Sequence, residues 1–207
     1  TSNNTLTINQ GTDRALGDWN SFDIQKNETV NINQPSVESI MVGRITGGSR
    51  TEIFGNLNAT GGVILINPKG MLFGAEAEIN TATFSASTLD IEPLDFSNAN
   101  DVKLNNFDTS SLNSSIINYG SISVGDTGLV SLISPQVVNE GVISAKLGKV
   151  QLVSGTSATL DLSGDGLLNV ALDERAAGII KNTGTIEGQN IRIGGGVATS
   201  FVNSTVN

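Results

Sequence analysis

The feature that most restricts how this chain can fold is an internal repeat. Apolar–x–apolar units stand at Val130-Ser131-Leu132, Val150-Gln151-Leu152, Val170-Ala171-Leu172 and Ile191-Arg192-Ile193, so their first residues step by 20, 20 and 21. A second unit, Asn–x–Gly–x–Ile/Val, occurs at Asn118-Tyr119-Gly120-Ser121-Ile122, Asn139-Glu140-Gly141-Val142-Ile143 and Asn182-Thr183-Gly184-Thr185-Ile186. These copies lie 21 and 43 residues apart, one and two periods. Upstream, Val63-Ile64-Leu65-Ile66-Asn67-Pro68 parallels Val130-Ser131-Leu132-Ile133-Ser134-Pro135. A period of this length, with about three short strands per copy, suits a parallel β-helix whose coils pair backbones roughly 4.8 Å apart. Val130, Val150, Val170 and Ile191 then form one interior row, and Leu132, Leu152, Leu172 and Ile193 the next but one. Asn118, Asn139 and Asn182 stack at a corner as a structural ladder, where the amide bonds turn backbone and the following Gly accepts unusual dihedrals. A β-sandwich is the alternative, but it does not require the same residues to recur at this interval. The register carries a sharp expectation. Leu152→Asp buries an unpaired charge, whereas Gln151→Asp, pointing outward, costs little.

The rest of the chain fits an all-β reading. Helix signals are confined to Asn169–Lys181; elsewhere apolar residues alternate or run briefly before Gly, Asn, Asp or Pro. The first 60 residues lack the repeat, with strands expected at 6–8, 22–24, 30–32 and 40–45. They are read as an N-terminal β cap, since an open coil edge invites aggregation. Residues 94–113 are polar and irregular, and are expected to form a loop or hairpin leaving the helix. No linker divides the chain, so residues 1–207 are read as one domain, about 1–60 cap and about 61–207 coils.

Composition removes several functions. With neither His nor Cys, Ser-His-Asp and Cys-His nucleophile systems are excluded, as are His- or thiolate-bound metals and all disulfides. A net charge of −9 argues against nucleic-acid binding and docking on anionic membranes. No apolar segment is long enough to span a bilayer as a helix. Thr1–Thr7 shows neither the basic nor the apolar part of a signal peptide, so none is expected within this chain; prior removal is compatible with that. The lack of Cys does not decide the compartment.

Residues 19–91 carry an ordered series of motifs. They are Trp19-Asn20-Ser21-Phe22-Asp23-Ile24, Asn33-Gln34-Pro35-Ser36, Arg44-Ile45-Thr46-Gly47, Ile53-Phe54-Gly55-Asn56-Leu57, Gly62 to Gly74, and Ala86-Ser87-Thr88-Leu89-Asp90-Ile91. In this order they resemble the N-terminal secretion (TPS) domain of filamentous haemagglutinin-type exoproteins of two-partner secretion. The later Asn–x–Gly–x–Ile copies resemble that family's repeats. The resemblance implies a right-handed parallel β-helix with an N-terminal cap and extra-helical hairpins. It also implies recognition by the periplasmic, POTRA-type domains of a partner outer-membrane β-barrel transporter, starting export of a large adhesin or cytolysin to the cell surface or medium. A monomer without cofactor or metal is expected, with any host-cell receptor engaged by the rest of the protein. Two departures stand out. The family's Asn-Pro-Asn-Gly is here Asn67-Pro68-Lys69-Gly70, and Asn-Pro-Asn-Leu is absent, which places the chain nearest the high-molecular-weight adhesin branch.

The candidate recognition residues are Gln34, Pro35, Ser36, Arg44, Asn67, Pro68, Lys69 and Gly70. Asn67-Pro68-Lys69-Gly70 is equally explained as a turn after a strand, with Pro fixing one dihedral and Gly permitting the next; Gln34-Pro35-Ser36 has the same two readings. Arg44 is expected to pair with a carboxylate within the cap, and Trp19 and Phe22 to form its core. Gly148-Lys149 lacks a phosphate loop's upstream Gly, since Ile143 stands there, and Gly164-Asp165-Gly166 lacks a third Gly. Asp161 and Asp165 lack the dense glycine repeat of calcium-binding coils. The Asn-x-Ser/Thr sequons at Asn3, Asn27, Asn58, Asn113 and Asn203 are as many as composition alone produces. Two rival functions remain. One is a β-helix polysaccharide lyase or hydrolase, for which Asp173, Glu174 and Arg175 are the closest cluster. The other is a passive segment of an adhesin shaft, which needs only repeats.

Overall fold

The computed structural model describes residues 4–91, 101–105, 113–155, 157–161, 178–194 and 197–198. Strands are numbered along the chain, and all but three lie in parallel ladders running across successive coils. The first ladder joins β1 (Thr5–Asn9), β3 (Thr29–Asn33), β6 (Asn56–Ala59), β9 (Glu78–Thr81), β14 (Ser121–Val124) and the start of β17 (Val142–Val153). The second joins β2 (Arg14–Trp19), β4 (Ile40–Ile45), β7 (Gly62–Ile66), β10 (Thr83–Ser87), β15 (Leu129–Ile133) and the end of β17. β20 (Thr185–Gly194) follows β17 through both ladders, with a bulge between Ala145 and Lys149. The third comprises β5 (Thr51–Ile53), β8 (Met71–Phe73), β13 (Ser115–Asn118), β16 (Gln136–Asn139), β19 (Ile179–Asn182) and β21 (Val197–Ala198). This is a parallel β-helix.

Alternation along each strand sends one set of side chains inward. Ala15, Met41, Val63, Phe84, Val130, Val150 and Ile191 stand in consecutive register, and Phe73 meets Phe84 edge-on with ring centroids 5.8 Å apart. The interior row is thus as expected at Val130 and Val150; Ile191 keeps the register, but on the last described coil it is 38% exposed. Val150 pairs directly with Ile191, and Asn139 directly with Asn182. The 43 residues between those asparagines are one coil carrying an insertion, not two coils. Val170-Ala171-Leu172 itself lies outside the described residues, as does most of the helix candidate; its end, Ile179–Asn182, is strand.

The same ladders run through the first 60 residues. Thr5 pairs with Thr29, Thr29 with Asn56 and Ala15 with Met41, so these coils take 24, 27 and 26 residues. Their extra length hides the repeat from the sequence. Residues 22–24, expected as a strand, contribute only a bridge from Ile24 to Ile53. Gly17 and Gly43 leave room in the inward row that Trp19 occupies, its indole about 3.5 Å from where either Cβ would stand, and Phe22 packs edge-on against Trp19.

Two insertions interrupt the coils and meet outside them. The first carries β11 (Asp90–Ile91) and β12 (Asp101–Asn105), the second β18 (Ser157–Asp161), and the three form an antiparallel sheet. This sheet covers the outer face of the second ladder. Ile40, Val42, Ile64, Ile66, Ile133 and Val153 pack there with Leu89, Ile91, Leu104 and Ala158 in a second core separate from the interior. Gln151, expected to point into solvent, does point outward, in register with Ser131 of this face, yet is only 5% exposed.

Candidate functional site

The turn after β7 is built by Asn67. Pro68 cannot donate to a strand partner, so pairing stops there. The buried Asn67 amide donates to the Ser49 carbonyl (3.1 Å) and Thr51 Oγ1 (3.0 Å), while its Oδ1 accepts from the Lys69 N–H (2.9 Å). The Gly70 N–H closes the turn on the Asn67 carbonyl at 2.9 Å. Gly70 has φ +97°, and a Cβ there would stand 2.7 Å from the Ser115 carbonyl oxygen. Asn67 and Gly70 are therefore fully used by the turn. Pro68 is partly exposed and Lys69 is exposed.

Arg44, at the end of the neighbouring strand β4, presents the planar fork of its guanidinium to Asp90. Nε donates to Oδ1 and Nη2 to Oδ2, each at 2.9 Å, and Nη1 reaches Asp18 Oδ1 at 3.1 Å. The hydrogen bond with Asp90 raises the Arg44 pKa above its ordinary value, partial burial opposes the rise, and the charges of Asp90 and Asp18 add to it. A carboxylate partner was expected within the cap; Asp18 is one, but the bidentate partner is Asp90, 46 residues along the chain. The sequence singled out the motif containing Asp90 without assigning that role.

Arg44, Thr46, Pro68, Lys69 and Asp90 line one cleft of about 170 Å³. Gln34, Pro35 and Ser36 are not in it. They lie at the other end of β7, roughly 13 Å away at about 3.3 Å per residue. There the buried Gln34 accepts from the Gly61 N–H (2.7 Å) and donates to the Gly62 carbonyl (3.1 Å). Ser36 pairs through its N–H with Ser39 Oγ at 3.0 Å, and Pro35 is exposed. The eight candidates thus form two groups, with Gln34, Asn67 and Gly70 committed to the fold.

Asn118, Asn139 and Asn182 form a hydrogen-bonded column: Asn118 donates to Asn139 at 2.8 Å, and Asn139 to Asn182 at 2.7 Å. A second amide column, which the repeat did not reveal, lies on the outside of the first ladder, where Asn80 donates to Asn58 and Asn58 to Asn31. No cluster of three or more potential metal ligands occurs among the described residues. Asp173, Glu174, Arg175 and Asp165 lie outside them. No helix among the described residues is long and apolar enough to cross a membrane.

The described residues thus form a parallel β-helix whose second ladder carries an extra antiparallel sheet on its outer face. The chain belongs to the TPS secretion domain family, whose model matches residues 1–207. This is a family of secretion domains, not of enzymes. The chain is 36% identical over 200 residues to a heme/hemopexin-binding protein of Haemophilus influenzae strain Rd, covering 93% of this chain and 22% of that protein. A second H. influenzae heme/hemopexin-binding protein is 42% identical over 87 residues, 42% of this chain and 9% of that one. The crystal structure of the HMW1 secretion domain from H. influenzae superposes with a TM-score of 0.78 at 30% identity, over 93% of this chain and 53% of that one. The chain therefore spans about a fifth of the longer-matching curated relative. It is the secretion domain of a two-partner secreted protein, exported through the outer membrane, and it implies a partner transporter there.

Proposed function

We propose that this domain is read by the periplasmic, POTRA-type domains of its cognate outer-membrane transporter, which starts export of a larger adhesin-type exoprotein to the cell surface or medium. The observation that supports this reading most is the family match along the whole chain. Within the domain, the exposed part of the cleft formed by Arg44, Pro68 and Lys69 is the first contact candidate, and Pro35 with Ser36 the second. Residues 1–207 act as one monomeric unit, and the first coils, plugged by Trp19 and Phe22, serve as its cap. Binding is weak and reversible, since the substrate has to be released into the pore. Host-receptor binding belongs to the rest of the protein. Haem or hemopexin binding, named for the relatives, gains no imidazole or thiolate ligand from this chain, which has no His and no Cys.

A signal peptide and a passenger fused to residues 1–207, made with the cognate transporter, should place the passenger outside the cell. Lys69→Glu with Pro68→Ala should reduce export several-fold while leaving the melting temperature of the purified domain nearly unchanged. Asn67→Ala should lower both together, because its amide holds the turn. Equal export without the transporter overturns the reading.

A further inference from the structure

We infer that the antiparallel sheet of β11, β12 and β18 is a clasp: it closes over the second ladder only after the coils beneath it are laid, and it opens without unfolding them. The first support is topology. β12 pairs along its length with β18, from Asp101 with Asp161 to Asn105 with Ser157. Between them in sequence come β13 to β17, which build further coils on the stack. In a chain that forms from its N-terminus, β12 waits for its partner until those coils exist.

The second support is the layer the clasp seals. Its apolar contacts form a cluster distinct from the interior core, so losing them leaves the interior packing intact. Down the middle of that layer runs the outward column Val42, Ile64, Ser85, Ser131 and Gln151. The hydroxyls of Ser85 and Ser131 are buried and have no hydrogen-bond partner. Closure removes these two groups from water without replacing their bonds, and opening returns them to it. A layer of this kind separates more readily than the all-apolar interior.

The third support is a latch. Arg44 on β4 grips Asp90 on β11 through two parallel bonds, and Thr88 Oγ1 bonds Ser134 Oγ at 3.1 Å beside it. Both tie the root of the clasp to the coil wall. When the clasp is open, Ile40, Val42, Ile64, Ile66, Ile133 and Val153 lie uncovered on the outside of the sheet.

Hydrogen exchange on the folded domain, resolved by segment, tests this. Amides of β11, β12 and β18 should exchange as one unit, at least about tenfold faster than those of β7, β10 and β15. Asp90→Asn should speed the clasp amides further and leave β10 and β15 unchanged. Ser131→Ala, which removes a stranded hydroxyl and keeps the fold, should slow the clasp amides. If clasp and coil amides exchange at one common rate, and Asp90→Asn shifts both equally, the clasp does not exist as a separate unit.

Discussion

Two asparagines make nearly the same contacts in different surroundings, and they separate burial from bonding. Asn139 accepts one amide hydrogen bond from the coil below and donates one to the coil above, at 2.8 and 2.7 Å. Asn58 does the same between Asn80 and Asn31, at 3.3 and 3.0 Å. Asn139 is fully buried, whereas Asn58 is half-buried on the outer surface. Replacing Asn139 by Ala removes two bonds worth about 1 kcal/mol each and strands the Asn182 carbonyl oxygen, which adds about 1–3 kcal/mol. The sum is about 3–5 kcal/mol. At about 2–4 °C per kcal/mol for a chain of this size, the midpoint should fall by roughly 6–20 °C. Asn58→Ala should cost less than about 1 kcal/mol, since water takes over the freed groups. Urea unfolding followed by circular dichroism and by the fluorescence of Trp19, the single Trp, measures both variants. Equal losses would show that bond count, not desolvation, sets the value of an amide column, and would refute the reasoning.

Leu152→Asp and Gln151→Asp should both lower the melting temperature by several degrees, because both side chains are buried; an unchanged Gln151→Asp midpoint would mean that this outer face is open to water in solution. Gly70→Ala should cost about 1–3 kcal/mol, since its positive φ and the nearby Ser115 carbonyl both resist a Cβ. Thermal melting of the purified variant checks it, and a change under 0.5 kcal/mol, about the ordinary surface value, would count against the turn geometry.

Much of the coil was legible where coils are short and alike. Val130 and Val150 recur because each coil offers the same inward position to the same neighbours, and Asn118, Asn139 and Asn182 because an amide at that corner bonds both the next amide and its own turn backbone. Val170 misled for a physical reason. An apolar–x–apolar triplet states that a residue pair can face a core, not which strand it pairs with, and Val150 pairs directly with Ile191. The longer coils before residue 60 broke the interval without breaking the pairing. Gln151 follows the same logic in reverse: alternation correctly gave its direction, but not that the outer face is buried there. Asp90 was visible as part of a motif, yet its partnership with Arg44 arises from stacking, which brings together side chains that no local pattern relates.

The parallel ladders also set a mechanical ratio. A coil such as that from Ser121 to Val142 uses 21 residues, roughly 70 Å of extended chain at about 3.3 Å per residue, and lengthens the stack by only about 4.8 Å. Each coil that forms therefore reels in about 65 Å of slack for a small axial advance. At about 0.05–0.15 kcal/mol per residue, a coil releases about 1–3 kcal/mol, which spread over that distance is a steady pull of about 1–3 piconewtons. A winding stack of this shape acts as a low gear, drawing on a long thread while its own tip hardly moves.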